Sequence, residues 1–137
     1  MSEFINGCFD AKLRELDKAY AIFQERCQFY RLADKEELGS AKDRMEKIWI
    51  ERRNSLYNEA QGSNSPLLSQ FASLQGEYCK RMEDTFQKTI ASSDNADKMP
   101  VNEVNALYAE YALDYVILSL DHAIYRMLMA DDVIENH

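Results

Sequence analysis

Residue types and spacings that could do chemistry are few in this chain, and they gather towards its end. Glu103, Glu110, Asp114 and Asp121 follow one another at steps of seven, four and seven. At about 100° per residue, that places the four carboxylates within a sector roughly 40° wide on one helix. Three kinds of chemistry suit such a line. Stacked like charges repel and are best left in water, so the first expectation is a solvated edge. The same line would dock a partner with a basic surface. Turned inward, Glu110, Asp114, Asp121 and His122 would be candidate metal ligands. Di-metal bundles, however, typically draw Glu-x-x-His pairs from facing helices. Here the only histidines are His122 and His137, and Ser119 stands where that motif needs a glutamate. A carboxylate-only site would need Glu77 or Asp84 to face Asp114. The expectation is therefore no metal and no cofactor.

Covalent chemistry finds no better footing. Cys8, Cys27 and Cys79 form no CxxC pair and cannot all pair within one chain, so they read as small apolar residues in a reducing compartment. No serine or cysteine has a context that marks a base-activated nucleophile. No catalytic residue is assigned, and the chain is not expected to be an enzyme. His122 and Arg126 fall within an aromatic flank beside Tyr108 and Tyr115, where polar groups reaching between helices are the expectation.

The elements that must position these residues read as helices. Phe9, Leu13, Leu16, Tyr20, Phe23, Cys27 and Tyr30 alternate steps of four and three, which holds one stripe on a single helix face. Asp34 with Glu37 three positions on marks the next start, and puts negative charge at the positive end of the helix dipole. The inward stripe there is Leu38, Ala41, Met45, Ile48, Trp49 and Leu56, with Arg52 at its edge. The run 61–64 is a turn, after which Ser65 can cap free N–H groups and Pro66 fits the first helical position. Leu67, Phe71, Leu74, Tyr78, Met82, Phe86 and Ile90 then step mostly by four, so their stripe swings around the axis. A polar loop over 92–98 precedes Pro100 and the last helix.

The spacing predicts helices over about 4–32, 35–60, 66–92 and 101–131. Residues 1–137 are read as one all-α domain, an antiparallel up-down four-helix bundle. Three long helices with a bent or broken first or second helix are the alternative. Four glycines and two prolines in 137 residues argue against a turn-rich β architecture.

The last helix departs from ordinary amphipathicity. Beside its acidic line, one side holds Ala106, Ala109, Leu113, Val116, Leu120, Ile124 and Met127. The other holds Val104, Leu107, Tyr111, Tyr115, Leu118, Tyr125 and Met129. Such a helix is either the most buried in its bundle or has a second apolar face covered by another chain. Ile22 with Phe29, and Ile50 with Tyr57, are further apolar pairs off the main stripes.

Charge narrows the partner class. The net charge is −8, and residues 93–137 carry nine acidic side chains against Lys98 and Arg126, so nearly the whole excess lies there. That composition disfavours direct binding to nucleic acid. Asp114 and Asp121 interrupt the longest apolar stretch well short of a membrane span, and the first residues lack the pattern of a signal peptide. The expected location is cytoplasmic, without membrane contact. The expected function is a non-enzymatic interaction module, an adaptor, chaperone, inhibitor or immunity-type protein. Its expected partner is a protein with a basic surface, or a second copy in a homodimer. Glu103, Glu110, Asp114, Asp121, Ile22, Phe29, Ile50 and Tyr57 are the candidate contact residues. The alternative is a metal- or small-ligand-binding bundle with its carboxylate site on the fourth helix.

Overall fold

The computed structural model describes residues 9–91 and 99–135, with side chains as far as 130. The expected class holds: four helices follow one another and no strand occurs among the described residues. Helix α1 spans Asp10–Arg31, α2 Lys35–Gln61, α3 Pro66–Ile90 and α4 Val101–Glu135. Both α1 and α2 are continuous, so the three-helix alternative with a break in one of them is set aside. The expected beginning of the first helix near residue 4 and the expected loop over 92–98 lie outside the described residues.

Local chemistry accounts for the helix ends. Ser65 adopts an extended backbone, and its Oγ accepts the Leu68 N–H at 3.4 Å while Pro66 opens α3. A donor that the helix cannot satisfy internally thereby gains a partner, and proline loses nothing at that position. Glu36 and Glu37 occupy the first turn of α2, where the helix dipole favours them. No side chain caps the start of α1, where Asp10 pairs instead with Arg14 at 2.9 Å. Helix α4 runs four residues past its expected end, because no glycine or proline stops it.

The contacts of the chain fall into two units. The first to consider is Lys35–Tyr108, built on α2 and α3 as an antiparallel pair joined by a short turn. Ala41 and Ala72 are buried in it, while Leu38, Met45 and Ile48 are half-buried. Gln61, the last residue of α2, clamps the pair. Its Nε2 donates to the Ser69 carbonyl at 3.2 Å and to Ser73 Oγ at 3.3 Å, and its Oε1 accepts from Ser69 Oγ at 2.8 Å. The first turns of α4 join this unit through buried Val104 and through Tyr108, whose ring lies 6.0 Å from that of Phe86.

The other unit comprises Met1–Asp34 with Ala109–His137. Its described side chains are little buried. On α1, Leu16, Tyr20 and Phe23 are exposed, and of the stripe within the helix only Leu13 and Tyr30 are half-buried. On α4, every residue from Tyr111 to Arg126 is exposed. The fourth helix is thus not the most buried element. Among the described residues only Ala41, Ala72 and Val104 are buried apolar side chains, so helix packing is sparse and its core is made of small residues.

Candidate interaction surface

At 100° per residue, the two apolar sides of α4 are centred about 180° apart, each roughly a right angle from the acidic line. The aromatic side starts with partners: Val104 is buried and Tyr108 packs near Phe86. Partial burial, then the Glu83 carboxylate and Cys79, push the Tyr108 hydroxyl above its ordinary value of 10.0. Past Tyr108 both sides lie open as far as Arg126. Leu113, Val116, Leu120 and Ile124 are 40–54% exposed on the aliphatic side. Tyr111, Tyr115, Leu118 and Tyr125 are exposed on the other, with Tyr111 and Tyr115 stacked along the helix at 6.3 Å between ring centroids.

The acidic line is where the spacing places it: Glu103, Glu110, Asp114 and Asp121 are all exposed. Among the described residues, no three His, Cys, Asp or Glu side chains converge as a metal-ligand group, so Glu110, Asp114, Asp121 and His122 are not gathered around one point. His122 and Arg126 do not reach between helices, as their place in the aromatic flank had suggested. Arg126 Nε donates to His122 Nε2 at 3.2 Å, one turn away on the exposed surface. Because Arg has no acceptor and keeps its protons, that bond uses an imidazole with its proton on Nδ1. The guanidinium also lies 5.2 Å over the Tyr125 ring.

The surplus apolar pairs separate. Ile22 and Phe29 are exposed on α1, and Phe29 meets Tyr30 edge-on at 5.7 Å. On α2, Ile50 is half-buried, whereas Tyr57 is exposed beside Leu56. Tyr57 belongs to a feature that sequence reasoning missed, an open apolar groove of about 580 Å³ between α2 and α3. Leu56, Tyr57, Leu68 and Phe71 line it, with Ala60, Ala72 and Gly76 as its small residues. Arg53, Lys80, Glu83 and Asp84 stand among its charged lining residues. The available signal was Ala72 and Gly76, one turn apart within an otherwise bulky apolar pattern. Cys79 also lines the groove and, like exposed Cys27, is a free thiol.

No described helix is long and apolar enough to cross a membrane. Comparison with protein-family models, curated proteins and solved structures finds no match for this chain. Function is therefore argued from these surfaces.

Proposed function

We propose that this chain is a non-enzymatic protein–protein interaction module, a small acidic helical protein of the adaptor, chaperone, inhibitor or immunity type. One observation carries the reading: from Tyr111 to Arg126 α4 is exposed on all sides, although apart from its narrow acidic line and the His122–Arg126 pair its side chains there are mostly apolar or aromatic. Apolar surface on that scale is stabilised when another protein covers it. Tyrosine and leucine side chains supply contact area, and the carboxylate line adds orientation and a faster encounter with a basic surface. Ile22 and Phe29 on α1 extend the apolar contribution.

The partner on this reading is a protein with a basic surface, met in the cytoplasm. The test replaces Glu110 and Asp114 together with lysine and compares capture of partner proteins by the two forms. The expected result is a basic protein retained by the original chain, released by salt, and lost on charge reversal, with helicity unchanged. Equal retention by both forms at low and high salt would remove the acidic line from the contact.

A further inference from the structure

We propose that the aliphatic side of α4 seats an amphipathic helix of another protein, one whose apolar stripe is bordered along one edge by lysine or arginine. The inference rests on the reading of the chain as an interaction module. It names the side of α4 that is used and the kind of element that covers it.

The side follows from what borders it. At 100° per residue, Leu113, Val116, Leu120 and Ile124 fall within a sector roughly 80° wide. Ile117 carries the apolar surface on towards Glu110, Asp114 and Asp121, which lie about a right angle from the centre of that sector. These exposed carboxylates form one edge of the aliphatic side. Ala112, Ser119 and Ala123 form the other, and short side chains there let a neighbouring helix approach closely. The acidic line borders the aromatic side as well, so charge on the sides themselves decides between them. Arg126 is the one basic residue of α4, and it lies on the aromatic side, donating to His122 and lying over the Tyr125 ring. The start of that side is also occupied, by buried Val104 and by Tyr108 beside Phe86. A basic partner meets a cation on the aromatic side and only carboxylates on the aliphatic one.

The occupant is a helix because of the backbone. The N–H and C=O groups of α4 are used within the helix, so a partner can be held only by side chains. An extended segment pressed against the apolar seam would leave its own backbone groups without water or protein partners, at about 1–3 kcal/mol for each. A helix brings its hydrogen bonds with it. The steps of three, four and four along the seam are also those of ridges that interdigitate with another helix. From Leu113 to Ile124 the seam is about 16 Å long, so roughly three turns of a partner helix cover it.

Two labelled synthetic peptides of about 18 residues, both of leucine and lysine only, test this by fluorescence anisotropy against the full chain at low salt. One places leucine at helical spacing; the other has the same composition with leucine and lysine alternating, the pattern of a strand. The first should bind, gain helicity in the complex and be released by salt, whereas the second should bind at least about tenfold more weakly. Leu120→Lys and Leu118→Lys change the charge equally on the aliphatic and aromatic sides of exposed α4. Leu120→Lys should weaken the first peptide at least about tenfold, and Leu118→Lys should leave it within about twofold, with helicity of both chains retained by circular dichroism. Leu113→Gln, which adds no charge, should weaken it as Leu120→Lys does. Absence of binding up to about 1 mM overturns the proposal. So does equal binding of the alternating peptide, or a loss from Leu118→Lys as large as that from Leu120→Lys. A chain that ignores the helical peptide yet retains a basic protein through Glu110 and Asp114 would leave the interaction-module reading standing and remove only this one.

Discussion

Ser65, Gln61 and Tyr108 each show how a single side chain fixes part of the α2–α3 unit. Ser65 satisfies a donor that α3 cannot, so Ser65→Ala should lower stability by about 1 kcal/mol, read as a shift in the urea midpoint. Gln61→Ala removes three hydrogen bonds that tie α2 to α3. Because these groups are exposed to water that can replace the protein partners, the expected loss is also only about 1 kcal/mol. Tyr108 adds a pH dependence. Its folded-state pKa is raised, so the stabilising preference for the neutral phenol is complete below pH 10.0, the unfolded value. It is lost as pH rises through the folded value. Alkaline unfolding followed by circular dichroism should accordingly begin at higher pH for Tyr108→Phe than for the unaltered chain; an identical or earlier onset would contradict the assignment. Ser65 and Pro66 were legible from residue type alone. Gln61 was not, because a glutamine at a helix end carries no mark of the two serines it will meet on the next helix.

At the scale of elements, periodicity located the helices well and their neighbours poorly. The starts of α2, α3 and α4 fall where caps, prolines and apolar steps place them. The rotation of one helix against another depends on which apolar side is used, and α4 offers two of similar hydrophobicity on opposite sides. Only the structure shows that its aromatic side is engaged, at Val104 and Tyr108, and that its aliphatic side is open. Tyr57 illustrates the same limit: seven residues from Ile50, it read as half of a surplus pair, whereas Ile50 is half-buried and Tyr57 lines the groove. The acidic line was legible because charge spacing alone defines it. Since Glu110 and Asp114 are exposed, replacing both with lysine should change the thermal midpoint of the isolated chain little, by an equivalent of about 0.5 kcal/mol or less. A large loss of stability would place these carboxylates inside the structure.

For the whole molecule, the decisive quantity is apolar surface that one chain leaves in water. Full burial of a leucine or isoleucine side chain contributes about 1.5–3 kcal/mol; side chains already half covered gain about half of that. Leu113, Val116, Leu120 and Ile124 would together contribute several kcal/mol when covered, a large fraction of a small domain's net stability. On the proposed reading, a partner that covers this side couples its own binding to the folding of α4. Amide hydrogen exchange, resolved along the sequence by mass spectrometry, tests this most directly. At low-micromolar concentration residues 111–126 should exchange readily. Their protection should rise when a captured basic partner protein is added. Strong protection of residues 111–126 that does not change down to the lowest concentration would contradict it, because one chain alone would then be covering the helix.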